Sequence, residues 1–163
     1  MRAIAATLAH VMSPLNKAAL WIAGTGLVIM TATVAWQVFA RYILNDSPSW
    51  SEPVSLLLMS WFILFGSAVS VREGNHLGFE IGLMLAPPAL RRAMLTVTEI
   101  LVIGFGGAMA WYGWSLAMKT WNANMAGIAI PQGMSYLPLV GGGILIALFS
   151  LEKLLLVISA EEA

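Results

Sequence analysis

AALWIAGTGLVIMTATVAWQVFA, residues Ala18–Ala40, carries no formal charge between Lys17 and Arg41. A helix needs roughly 20 apolar residues to cross the hydrocarbon core of a bilayer, which is about 30 Å thick. The same pattern returns three times along the chain. Val54–Val71 lies between Glu52 and Arg72, Ala93–Met118 between Arg92 and Lys119 with Glu99 inside it, and Met134–Leu151 ahead of Glu152 and Lys153. Of 163 residues 60% are hydrophobic and 10% charged, against about 25% charged in a water-soluble domain. In lipid the backbone polar groups must be satisfied within the spanning segments. The chain therefore reads as an all-α integral membrane protein, a single domain over residues 1–163 with four transmembrane helices at about 18–40, 54–71, 93–118 and 134–151.

The formal net charge is zero, so nothing recommends a nucleic-acid partner, which would call for a basic patch. With no cysteine, disulfides, thiolate metal sites and cysteine nucleophiles are excluded. The start, MRAIAATLAHVMSPLNKAAL, places a positive residue ahead of apolar ones, as a secretory signal does. The apolar stretch after Lys17 is too long for a signal core and more membrane follows it, so the expectation is an uncleaved first span.

Arg2, Lys17, Arg72, Arg91, Arg92 and Lys153 fall on one side of the membrane, and only Arg41 and Lys119 on the other. By the positive-inside bias both termini and the middle connection are cytoplasmic, while Arg41–Pro53 and Lys119–Gly133 face outward. Short interfacial helices are expected at two places. Ile4, Leu8, Val11, Met12 and Leu15 recur at helical spacing and stop near Pro14. Leu77–Ala86 is apolar apart from Glu80, too short to span, and closed by Pro87-Pro88. Such helices bury one apolar face at the headgroup boundary; a frayed tail and an ordinary loop are the alternatives.

The tightest polar cluster is Arg41-Tyr42 followed by Ser49-Trp50-Ser51-Glu52-Pro53. Ser49 and Glu52 have capping-box spacing, and Pro53 suits a helix's first turn. Proline also biases its predecessor away from helical angles, leaving Ser51 or Glu52 as rival caps. Two readings stay open: a capped helix start with Trp50 as an aromatic anchor, or an outer rim in which Glu52 pairs with Arg41 and forms a docking surface. On the inner side, Arg72 and His76 share a face if the second span continues through them, whereas Gly74 and Gly78 mark a turn. Arg72, His76 and Glu80 are candidates for ordering that cytoplasmic turn.

Glu99 is the one formal charge well inside a span, at a cost on the order of 3 kcal/mol for mid-membrane depth. Proton relay is one reading; helix–helix or subunit pairing is the other. Trp111, Trp114 and Trp121 approach the outer end of the third span, where an aromatic belt anchors helices in the lipid interface. Gly104, Gly106 and Gly107 in the third span and Gly141, Gly142 and Gly143 in the fourth allow close backbone approach, within the chain or against another. Of these, Gly104, Gly107, Gly141 and Gly142 are the candidate contact points. Pro131 and Pro138 bracket the start of the fourth helix, and Pro138 is expected to kink it.

No Gly-rich phosphate loop, nucleophile elbow or metal-ligand spacing occurs. Nor do two discontinuous spans bring polar residues together at the midplane, the usual pointer to a transporter's own substrate site. The residues alone favour a scaffold or accessory subunit, not an enzyme, with no cofactor.

The order of the clusters narrows this further. Arg41-Tyr42, Trp50-Ser51-Glu52 opening a span, Trp61 and Gly66 within it, then Arg72-Glu73-Gly74-Asn75-His76-Leu77 resembles the small membrane subunit, DctQ-like, of tripartite ATP-independent periplasmic (TRAP) transporters. Pro131 followed by PLVGG at Pro138–Gly142 looks like that family's last span. Pro53 stands where the family has a second acidic residue, and an aspartate usual near the position of Glu80 is missing. The resemblance covers about Ala18 to Leu156. It implies a bacterial inner-membrane complex in which a periplasmic binding protein captures a substrate, often an organic acid. A large multi-span subunit then carries it across by an elevator-like motion coupled to an ion gradient, commonly sodium. The small subunit would enlarge and brace the fixed scaffold, held at a set depth by membrane lipids around its tryptophans and surface segments. Arg41, Trp50 and Glu52 would lie near the docked binding protein. Two other classes compete: the membrane anchor of a respiratory enzyme, which needs axial histidines at membrane depth, and a stand-alone four-span exporter that dimerises around Glu99.

Overall fold

A computed structural model describes residues 2–74 and 87–159, with side chains for 12–74, 87 and 90–158. The described chain forms four long helices, α1 (Arg2–Tyr42), α2 (Ser51–Glu73), α3 (Pro88–Lys119) and α4 (Leu137–Ser159), with a 3-10 turn at Gln132–Tyr136 leading into the last. The stretches Met12–Tyr42, Ser51–Glu73, Leu90–Lys119 and Gln132–Ile158 are each long and apolar enough to cross a membrane. They enclose all four expected spans and overrun them at the ends, because a charge marks where lipid stops and not where backbone hydrogen bonding stops. The end bearing the α1–α2 and α3–α4 loops is called the upper end below, and the other the lower end.

α1 is a single helix of 41 residues with Pro14 inside it. A separate N-terminal helix stopping near Pro14 is therefore not what forms; the helix continues through the proline. Pro14 removes one backbone bond, but Met12 on one side of it and Ala19 and Ala23 on the other belong to one buried cluster. Packing of that face holds the helix together, as tertiary contacts do for most helices in proteins. The second expected surface segment, Leu77–Ala86, lies outside the described residues.

Helix order across the layer differs from order along the chain. α4 packs against α3 on one flank and α2 on the other, with a lighter contact to α1, which lies along α2. α3 makes at most marginal contact with α1 or α2. The result is an open, curved row, α1–α2–α4–α3, and not a closed ring. Its core gathers Ala19, Ala23, Phe65, Ala68, Val69, Leu145, Ile146 and Phe149 where α1, α2 and α4 meet. Trp21, Val28 and Ile29 on α1 and Leu101, Phe105 and Trp111 on α3 are more than half exposed, an apolar surface that water would not tolerate and lipid does.

Without a hydrophobic drive between helices in lipid, close backbone approach supplies the attraction. α3 and α4 meet at Gly106 and Gly143: a Cβ on Gly106 would stand 2.8 Å from the Gly143 carbonyl oxygen, and one on Gly143 2.7 Å from that of Gly106. α4 meets α2 through Gly142, whose added Cβ would lie 2.8 Å from Leu64 Cβ, and through Gly141 against the Phe65 ring. Gly106, Gly142 and Gly143 thus have no room for a methyl group, while at Gly141 the Phe65 ring would have to give by a few tenths of an ångström.

The helix ends follow local chemistry. Gly74, at φ 75°, ends α2 in a left-handed cap with its N–H on the Ser70 carbonyl at 3.1 Å, as a C-terminal glycine does. α2 starts after Trp50 without any side-chain cap, so the capping box is not formed. With Trp50 as the cap, the third helical residue is Pro53, which has no N–H to receive a capping oxygen. Ser51 instead donates its hydroxyl to the Pro48 carbonyl at 2.8 Å, and Ser49 donates to the Gly127 carbonyl at 3.5 Å. Pro138 sits in the first turn of α4, where a missing N–H costs no helical bond; the change from 3-10 to α winding falls just before it.

Candidate functional site

Three groups of polar residues stand out, at the lower end, in the α3–α4 seam, and at the upper rim. At the lower end Arg72 on α2 reaches Glu152 on α4. Its Nε donates to Oε2 at 3.0 Å and its Nη2 to Oε1 at 3.2 Å, with side chains 19% and 8% exposed. The guanidinium carbon also lies 5.6 Å from the centre of the Phe149 ring. A two-pronged geometry fixes both orientation and distance, so this pair clamps α2 to α4. Sequence spacing grouped Arg72 with His76 and Glu80, which lie outside the described residues. It missed Glu152 as a partner because the two are 80 positions apart; an arginine and a glutamate ending separate spans on one side are the signal that could have joined them.

Glu99 is buried on α3, and the fully buried Ser150 of α4 donates its hydroxyl to the Glu99 carboxylate, with the Glu99 carbonyl a further acceptor at 3.4 Å. The carboxyl group turns into the seam between α3 and α4 of its own chain. Ser150→Ala strands that buried acceptor and is expected to cost about 1–3 kcal/mol, read as a lower melting temperature of the purified subunit.

Of the glycines, Gly141 and Gly142 serve packing inside the chain, whereas a Cβ on Gly104 or Gly107 would meet nothing within 4 Å. Gly106 and Gly143, not the candidates singled out, make the tight crossing. Trp111, Trp114 and Trp121 are exposed along the last turns of α3 and just beyond it, spread over roughly 12 Å of the helix axis.

At the upper rim Arg41 donates to Ser47 Oγ at 3.4 Å. Among the described residues Arg72–Glu152 is the ion pair, so the expected Arg41–Glu52 pairing is not formed; Arg41 is held within its own loop instead. Glu52 lies exposed in the first turn of α2, beside the positive end of the helix, and Trp50 next to it is 43% exposed. Across from them the α3–α4 loop closes a narrow hairpin through Met125 N–H to the Ile130 carbonyl, 2.9 Å, and Gln132 N–H to the Ala123 carbonyl, 2.7 Å. Its tip, Gly127, is at φ 83° and lies so close to the Ser49 carbonyl that a Cβ would collide with it. Between hairpin and α2 opens a cleft of about 670 Å³, lined by Glu52, Leu56, Ser60, Met125, Gln132 and Ser135 among others.

Comparison with known proteins identifies the family. Residues 30–160 match the family described as tripartite ATP-independent periplasmic transporters, DctQ component. The sialic acid TRAP transporter small permease protein SiaQ of Vibrio cholerae is 27% identical over 141 residues, 83% of this chain and 82% of that protein. A C4-dicarboxylate TRAP transporter small permease protein, DctQ, of the same species is 26% identical over 76 residues, 47% of this chain and 33% of that protein. The sialic acid TRAP transporter permease protein SiaT of Haemophilus influenzae is 26% identical over 91 residues, 56% of this chain and only 15% of that much longer protein. The chain belongs to the DctQ component family of TRAP transporters: it is a membrane-spanning small permease subunit, not an enzyme, working with a large permease subunit and a periplasmic binding protein.

Proposed function

We propose that this subunit is the stationary brace of its transporter, set in the bacterial inner membrane with its termini and α2–α3 connection in the cytoplasm and its upper loops in the periplasm. The large permease moves an organic acid across as an elevator, driven by an ion gradient, commonly sodium, after delivery by the binding protein. Sialic acid and C4-dicarboxylates, named for the relatives, are acids of this class. The observation that carries the proposal is the open row of helices: its buried polar groups, Arg72–Glu152 and Glu99–Ser150, are spent on holding helices together. The exposed tryptophans at the upper end of α3 would resist tilt by anchoring at the lipid interface, while Arg41, Trp50 and Glu52 border the surface on which the periplasmic components assemble.

The test is uptake by vesicles reconstituted with the large permease and binding protein, with and without this chain, under an imposed sodium gradient. Uptake is expected only when both membrane subunits are present, and none from this chain alone. Full uptake by the large permease on its own, or solute movement by this chain alone, overturns the proposal. Replacing the sodium gradient with a potassium gradient of equal size is expected to abolish uptake.

A further inference from the structure

Glu99 and Glu152 are both buried, and their surroundings differ. Glu152 meets two guanidinium nitrogens of Arg72. Glu99, 9% exposed on α3, has the Ser150 hydroxyl as its side-chain partner and takes part in no ion pair among the described residues. The elements packed on α3 supply it with no counter-ion. On α4 the charged groups are Glu152, taken up by Arg72, and Lys153, whose ammonium nitrogen would stand 3.4 Å from a Cβ on Gly74 at the end of α2. The 3-10 turn carries the phenol of Tyr136, at the upper end. On α3 itself Arg92 stands seven residues before Glu99, about 10 Å away along the axis, with Arg91 beyond it; Tyr112 and Lys119 belong to the upper part of the helix.

Glu99 is also short of hydrogens. Ser150 Oγ carries one, and two acceptors lie in its reach, the Glu99 carboxyl group and the Glu99 carbonyl at 3.4 Å. Thr31, Ser55 and Ser67 turn their hydroxyls to the carbonyl four residues back in their own helices, whereas the fully buried Ser150 is drawn across the seam. Heavy-atom positions do not say which oxygen of such a pair carries the hydrogen. With Glu99 ionised, one hydrogen serves two acceptors, and a negative charge is enclosed between helices with no cation beside it. A carboxyl group so enclosed takes up a proton and becomes neutral. Two hydrogens then make two bonds: the carboxyl group donates to Ser150 Oγ, and Ser150 donates to the Glu99 carbonyl.

We propose that Glu99 is held in the membrane as an uncharged carboxylic acid that donates to Ser150 Oγ, and that this proton latches α3 to α4. Its loss breaks the carboxyl O–H bond, sends the proton to water and leaves a charge in the seam, so the latch holds in the protonated form alone. The test is infrared difference spectroscopy of the complex with the large permease, reconstituted in vesicles at neutral pH, the unmodified chain against Glu99→Gln. A carboxylic-acid carbonyl band that shifts on exchange into heavy water is expected in the unmodified complex and is expected to be lost in the variant. The glutamine amide copies the shape of the neutral acid and donates as it does, so Glu99→Gln is expected to assemble in full and to melt with the unmodified complex. Ser150→Ala removes the acceptor and keeps the acid; its band is expected to persist at a higher wavenumber. No such band in the unmodified complex, its survival in Glu99→Gln, an unmoved band in Ser150→Ala, or poor assembly of Glu99→Gln overturns the inference.

Discussion

Glu152→Ala is expected to lower the stability of the purified subunit by about 1.5–3 kcal/mol, the loss of a charge-assisted hydrogen-bonded pair. Glu152 is 8% exposed on its side chain and accepts two hydrogen bonds from the Arg72 guanidinium. Removing it leaves that guanidinium in a pocket formed in part by the Phe149 ring. A paired exchange, Arg72→Met with Glu152→Met, takes away both charges and keeps the volume, so most of the loss should be recovered. Thermal unfolding of the detergent-solubilised subunit, followed by circular dichroism, makes the comparison. A single variant that melts with the unmodified chain would mean the clamp contributes nothing. The double variant separates loss of the charge pair from loss of packing, since residues in contact are not additive.

The second large effect lies at the α3–α4 crossing. In Gly106→Ala the new methyl would stand 2.8 Å from the Gly143 carbonyl oxygen and 2.9 Å from the Ala147 nitrogen. Both are backbone atoms, so no side chain can rotate away and the helices must move apart. Such overpacking costs about 1–3 kcal/mol, and Gly106→Leu more. Gly104→Ala and Gly107→Ala change the same helix where nothing lies within 4 Å. There the higher helix propensity of alanine should stabilise the isolated subunit by roughly 0.5–1 kcal/mol. Opposite signs for neighbouring glycines in one melting series are the expected result; equal shifts would contradict the crossing.

Much of the fold is legible in the chain itself, because the expense of charge in lipid writes the spans directly into the spacing of Lys17, Arg41, Glu52, Arg72, Arg92 and Lys119. The turn at Gly74 is equally readable, since a left-handed cap calls for glycine. What is not legible is lateral order. Nothing in the spacing says that α4 separates α2 from α3, so the partners of Arg72 and Glu99 could not be named from one sequence. Pro14 shows the same limit: its local preference is to break a helix, and burial of Met12 on one side with Ala19 and Ala23 on the other overrides it. The rim motif misled for a related reason. Ser49 and Glu52 have capping-box spacing, but the distant Gly127 hairpin takes up the Ser49 hydroxyl.

That lateral order bears on how the protein is made. The three helices that precede α4 include two, α2 and α3, that hardly touch and must wait in the membrane with a vacant slot between them. The last of these four helices to emerge is the keystone, bringing Glu152 to Arg72, Ser150 to Glu99 and Gly143 to Gly106 in one insertion. Packing of α3 onto the rest of the subunit thus waits for α4, and a nascent chain stalled before α4 would lack the Glu152 partner of Arg72 and the Ser150 donor to Glu99.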